Sequence, residues 1–170
     1  RFQRPQHLAR ELGALGYRLF YVSTVPLLVP GRTDYLIQGM PEPGVVLVQL
    51  SSGSLRIPNF YCDEPTPDEV AGFLRSCNAL RQDFAIDEFT LLVQQPFWWP
   101  LVPHMRGGRV VYDCLDYHLG FHADPNQRLT EFEQQLIAAA DAVVATSETL
   151  AATIRKTREC HLIRNACEYT

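Results

Sequence analysis

Within six residues, Asp113-Cys114-Leu115-Asp116-Tyr117-His118, the chain places two carboxylates and an imidazole. Such groups can hold a hydroxylated ligand, and one of them can act as general base where it reaches the proton it takes. His122, four residues further on, can join them. Asp, Asp and His can also ligate a divalent ion, but their spacing matches no standard ligand pattern, so no metal is expected. The structural alternative has Asp113 bonded to loop amides while His118 and His122 simply face water. A second group is Phe97-Trp98-Trp99. Aromatic faces stack on sugar rings, and tryptophan at a site mouth can enter a membrane interface. The same residues would serve equally well to pack a helix against a sheet. Arg1, Arg4 and His7 form a basic group at the chain start, suited to an anionic ligand or merely solvated.

These residues need elements to position them. Leu8, Leu12 and Leu15 recur at helical spacing, with Pro5 in the first turn and Gly16 as a stop. Arg18 to Ser23 and Val45 to Leu50 are short apolar runs that predict strands. Pro26 to Gly44 between them, rich in proline and glycine, predicts a long irregular connection. Ser51 to Ser54 predicts a turn, with a short hairpin returning through Leu55-Arg56-Ile57. Thr66, Pro67 and Glu69 combine an N-cap, an N1 proline and a capping box. The helix behind them shows Val70, Phe73, Leu74 and Cys77 on one face. Strands are predicted over Thr90 to Gln94, Arg109 to Asp113, Ala142 to Thr146 and Cys160 to Ile163. Amphipathic helices are expected around Leu129, Phe132, Leu136 and Ala140, and after Ser147 as a cap. Short apolar strands alternating with amphipathic helices indicate an α/β fold, doubly wound, with a mostly parallel sheet and helices on both faces. Ligands of such sheets sit beyond the carboxyl ends of the strands. That rule selects Ser23-Thr24, Gln94 to Trp99, Asp113 to His118 and Thr146-Ser147.

Composition narrows the classes. The 170 residues are 46% hydrophobic and 20% charged, ordinary for a globular domain with a core. Lys plus Arg total 15 against 19 Asp plus Glu, a net charge of −4, so no basic field gathers nucleic acid. The five cysteines are an odd number without a C-x-x-C pair, which fits reduced, buried thiols better than a disulfide framework. No apolar run approaches the ~20 residues a bilayer span needs. A cytoplasmic setting is expected, with peripheral contact at the inner face of the membrane left open. G-x-G-x-x-G after a strand, G-x-x-x-x-G-K-[ST] and G-x-S-x-G are absent from the sequence. Their absence removes support for a Rossmann dehydrogenase, a P-loop and an α/β-hydrolase nucleophile elbow.

Three stretches in order carry a family resemblance. Arg4-Pro5-Gln6-His7-Leu8-Ala9, with Leu15-Gly16-Tyr17 and the strand LFYVS, is the first. Val110-Val111-Tyr112-Asp113-Cys114-Leu115-Asp116 is the second. The third is Glu133 followed by Ala140-Asp141-Ala142-Val143-Val144-Ala145-Thr146-Ser147 and Leu150. Together they resemble the N-terminal domain of retaining family-four (group 1) glycosyltransferases of GT-B architecture, especially bacterial members acting in cell-wall and surface-polysaccharide assembly. The resemblance implies a Rossmann-like fold, one half of a GT-B enzyme. Residues 1–170 would be its acceptor-side domain, a fragment inactive alone, with the donor-binding C-terminal domain absent. It implies a nucleotide-sugar co-substrate rather than a cofactor, and a glycan or lipid-linked acceptor. Asn165-Ala166-Cys167 stands where Asn-Gly is usual in such enzymes. Asp116, supported by Asp113 and His118, would be the catalytic set, with Asp116 orienting the acceptor hydroxyl or the donor sugar. Arg4, Gln6, Phe97, Trp98, Trp99, Tyr117 and Ser147 would contact substrate. Two other readings stay open: a stand-alone flavodoxin-like binding or regulatory domain, and a sugar-nucleotide-modifying enzyme complete in one domain.

Overall fold

A computed structural model describes residues 3–29, 34–116 and 127–165. The chain packs as two compact units, one built from residues 3–57 and 67–84, the other from 58–66 and 85–165.

In the first unit, helix α1 (Arg4–Ala14) precedes strand β1 (Leu19–Val22), which lies parallel to β3 (Val45–Leu50). Residues expected as irregular connection instead supply a strand, β2 (Tyr35–Glu42), antiparallel to β3. Gly39 and Pro41 conceal it in the sequence. The register slips between Ile37 and Gly39 and again before Glu42, as edge strands permit. Gly44, at φ 78°, makes the tight return into β3. The hairpin expected beyond Ser51 does not form. Gly53, Ser54 and Arg56 amides donate instead to the hydroxyls of Ser51, Ser52 and Ser54, each two residues back. Such local bonds compete with a strand ladder.

Helix α2 (Pro67–Asp83) begins with Pro67 at N1, as its sequence predicts. Glu69 has a further task there: it is buried and receives the Arg56 guanidinium at 3.0 and 2.6 Å. Gly72 admits no side chain, since a Cβ there would sit 1.8 Å from the Ser52 carbonyl oxygen. Of the leucine stripe on α1, Leu8 and Leu12 are half-buried and Leu15, past the helix end, is exposed. Ala9 and Gly13 are buried, and a Cβ on Gly13 would meet the Pro43 carbonyl at 2.5 Å. Small residues let that backbone approach.

The second unit holds β4 (Phe89–Val93), β5 (Gly108–Cys114), β6 (Ala142–Ala145) and β7 (His161–Leu162), side by side and all parallel. A 3-10 helix (Pro96–His104) follows β4, α3 (Gln127–Ala139) follows β5, and α4 (Glu148–Ile154) joins β6 to β7. The core is continuous from sheet to helices: Val93, Tyr112, Cys114, Val143 and Ala145 meet Leu136 of α3, Ala140 just past it, and Ala151 and Ile154 of α4. The alternation of short strands and helices is thus that of an α/β fold. No helix among the described residues is long and apolar enough to cross a membrane.

Candidate functional site

Parallel strands end with their carbonyls at one edge of the sheet, and residues just past that edge are free of the ladder. In the second unit three of the selected stretches meet this edge together: Gln94 after β4, Asp113 to Asp116 at and past the end of β5, and Thr146-Ser147 after β6. Side chains tie them. Gln94 Nε2 donates to Asp113 Oδ2 at 2.9 Å, and the Thr146 hydroxyl donates to the Leu115 carbonyl at 2.7 Å. Ser147 caps α4, its hydroxyl accepting from the Leu150 amide at 3.3 Å. Ser23 and Thr24 belong to the other unit.

The two carboxylates occupy opposite environments. Asp113 is 1% exposed and committed to bonds within the fold. Asp116, three residues on, is exposed, and its carboxylate has no partner among the described residues. The Cys114 sulfur lies 3.7 Å from its backbone carbonyl. Tyr117, His118 and His122 lie outside the described residues. Arg4 and Gln6 are on α1 in the first unit, where Gln6 Oε1 accepts from the Gln3 amide at 3.0 Å and so fastens the helix start.

The aromatic stretch lies in the 3-10 helix. Phe97 is fully buried, its ring 4.3 Å from Phe60 and 5.2 Å from Trp98, centre to centre. A ring without exposed surface has no face for a sugar, so its part is packing. Trp98 and Trp99 rest against the core but stay partly exposed. The Trp99 indole N–H donates to Gln135 on α3 at 2.5 Å.

Behind the edge sits a polar cluster whose geometry the sequence does not announce. Glu133 of α3 accepts from the Tyr112 hydroxyl at 2.5 Å and from the Cys114 thiol at 3.8 Å, so both neighbours of Asp113 in the strand are anchored to one carboxylate. Burial, then the nearby Glu133 charge, pushes the Cys114 thiol up from 9.0 to about 12, and burial raises the Tyr112 phenol well above its ordinary value. An unfolded thiol ionises near pH 9 while the folded one holds its proton. The stability this contributes is therefore complete below pH 9 and lost as pH rises toward 12. Melting temperature is expected to fall steadily from pH 9 upward, and Cys114→Ala to flatten that slope; a slope unchanged in the variant would refute the assignment. Among the described residues no three His, Cys, Asp or Glu side chains are grouped to hold a metal ion.

No family model matches the sequence, and no curated protein does either. Among solved structures, a sucrose-phosphate synthase from Thermosynechococcus elongatus matches over 94% of this chain with a TM-score of 0.67, at 16% identity. The fold is one Rossmann-like half of the GT-B architecture. This chain spans 41% of that synthase's length. Ligands of open parallel sheets are found beyond the carboxyl ends of the strands, and Gln94, Asp113 to Asp116 and Ser147 lie at that edge here. The strand-end rule selects Gln94 with the two carboxylates and Ser147, and Glu133 belongs to the third resembling stretch, but no sequence signal pairs Glu133 with Tyr112 and Cys114.

Proposed function

We propose that this chain is the acceptor-side domain of a retaining glycosyltransferase. It would act on a nucleotide-sugar donor and a glycan or lipid-linked acceptor, in cell-wall or surface-polysaccharide assembly. The observation that carries the proposal is the exposed carboxylate of Asp116, without a partner among the described residues, at the strand-end edge, beside a buried Asp113 that bonds Gln94 within the fold. An exposed carboxylate at that edge suits the orientation of a hydroxyl. In the reaction, the donor's bond from sugar C1 to phosphate oxygen breaks with its electron pair leaving on the nucleotide. The acceptor oxygen bonds to C1 on the same face, and its proton passes to the departing phosphate. Asp116 holds the acceptor hydroxyl or the donor sugar in line for that exchange and forms no bond to carbon. Ser147 and the partly exposed Trp98 and Trp99 border the substrate, and His118 and Tyr117 extend the set beyond Asp116. The donor is held mainly by a companion domain, and the work is done at the cytoplasmic face of the membrane.

The test is a nucleotide-sugar screen on the full-length protein, reading both a rise in melting temperature and the release of nucleotide with added glycan or lipid-linked acceptors. Binding and turnover of at least one donor is expected, with none for residues 1–170 alone. Full-length protein that neither binds nor turns over any nucleotide sugar would retire the reading in favour of a binding or regulatory α/β domain.

A further inference from the structure

Asp116 lies two residues past the end of β5, where strand pairing no longer holds the chain. The Thr146 amide closes the β5–β6 pairing by donating to the Cys114 carbonyl at 3.3 Å. One residue further along, the Leu115 carbonyl receives the Thr146 hydroxyl at 2.7 Å. A side chain thus extends the ladder by one residue on the strand that leads to Asp116, while β6 turns away into the α4 cap at Ser147. Thr146 and Leu115 are both half-buried, which limits competition from water for this bond. Threonine suits the place. Its β-branched side chain is stiff at χ1, so a fixed backbone at residue 146 leaves the hydroxyl few directions. The other contact near this carbonyl, from the Cys114 sulfur to the Asp116 carbonyl at 3.7 Å, involves a weak donor. Among the described residues the Thr146 hydroxyl is therefore the firmest tie on the approach to Asp116.

We infer that Thr146 is a positioning residue for Asp116: its hydroxyl, bonded to the Leu115 carbonyl, fixes the peptide unit from which the Asp116 side chain projects. The Leu115 carbonyl and the Asp116 nitrogen and Cα belong to one planar unit. Holding the oxygen therefore restrains the rotation that would swing the Asp116 Cα out of place. A group that orients a reacting hydroxyl has to be held to within about 0.5 Å, and a displacement of about 1 Å can cost on the order of a hundredfold in rate. Thr146 acts only through Asp116 and bonds no reacting atom. That this placement serves sugar transfer rests on the glycosyltransferase reading; that Thr146 sets the placement rests on the hydrogen bond itself.

The experiment compares full-length parent protein with Thr146→Val, which keeps the shape and removes the hydroxyl, and Thr146→Ser, which keeps the hydroxyl. Each is also made in an Asp116→Ala background. Thr146→Val is expected to lower kcat about tenfold with the acceptor KM little changed, and to melt within about 4 °C of the parent. Thr146→Ser should recover most of the rate. On the residual turnover of Asp116→Ala, Thr146→Val should bring no further loss, because its effect passes through the missing carboxylate. A merely structural hydroxyl would lower the rate by the same factor with or without Asp116. Nitrogen-15 relaxation supplies a readout independent of turnover: the Leu115 and Asp116 amides should be as ordered as those of β5 in the parent and in Thr146→Ser, and looser in Thr146→Val. Parental kcat in Thr146→Val, a Thr146→Ser rate as low as that of Thr146→Val, an equal loss in the Asp116→Ala background, or unchanged order at Asp116 would each overturn the inference. The two proposals fail separately. A parent without nucleotide-sugar turnover retires the transferase reading, while loosened order in Thr146→Val still assigns Thr146 the placement of Asp116. Turnover in the parent that Thr146→Val leaves untouched retires Thr146 alone.

Discussion

Under the proposed transferase function, Asp116→Ala in the full-length protein is expected to fold as the parent does and to lose turnover by about 10²–10³-fold, the range typical of removing a group that positions or polarises the reacting atoms. The two halves of that expectation have separate grounds. The Asp116 side chain is exposed and makes no bond among the described residues, so its removal opens no cavity and strands no buried partner. Asp113→Ala is the contrast. It removes a carboxylate that is 1% exposed and leaves the Gln94 amide without its acceptor. Any loss of activity there would come with a lower melting temperature. Asp116→Asn refines the result: if the carboxylate only orients a hydroxyl, an amide oxygen keeps part of the effect, and KM rises more than kcat falls. Full activity in Asp116→Ala, measured as nucleotide release at saturating donor, would remove Asp116 from the mechanism.

That contrast between two aspartates three residues apart was not legible in the sequence. Their types marked the place, and the strand-end rule gave it a position, because β5 and β6 are short apolar runs with clear ends at Asp113 and Thr146. Which carboxylate is spent on the fold depends on Gln94, nineteen residues away in the chain and adjacent only once β4 and β5 pair. β2 was hidden for a different reason. Its Gly39 and Pro41 are residues that a central strand excludes and an edge strand tolerates, and edge position is a tertiary fact. The serine-rich turn after β3 offered a hairpin by composition, yet its hydroxyls satisfied the local amides first. In α2 the Thr66-Pro67 start could be read directly, while the burial of Glu69 under Arg56 could not. Patterns carried by neighbours in sequence were readable; partners supplied by another element were not.

The aromatic segment shows the same division, and it carries the largest stability effect expected of a single substitution. Phe97→Ala should cost about 3–5 kcal/mol, the lost transfer energy of a buried ring plus the cavity it leaves. The ring is wholly enclosed, with Phe60 tilted against it at 4.3 Å and Trp98 edge-on at 5.2 Å. Collapse onto the gap is restricted, because Pro100 and Pro103 stiffen the 3-10 helix on which it sits. For a chain of this size the loss corresponds to a drop in melting temperature on the order of 10 °C. Trp98 and Trp99 lie within the same short helix, so their fluorescence should report the transition, with the urea midpoint lowered and the slope unchanged. Trp99→Phe is the control. It keeps a ring on the core and gives up only the N–H bond to the exposed Gln135, which should cost about 1 kcal/mol or less. If Phe97 were instead a platform for sugar, Phe97→Ala would melt with the parent protein and lose only ligand affinity. A parental melt would thus return the whole segment to the binding surface, and a melt lowered as described leaves Trp98 and Trp99 as the only rings of the three with a face to offer.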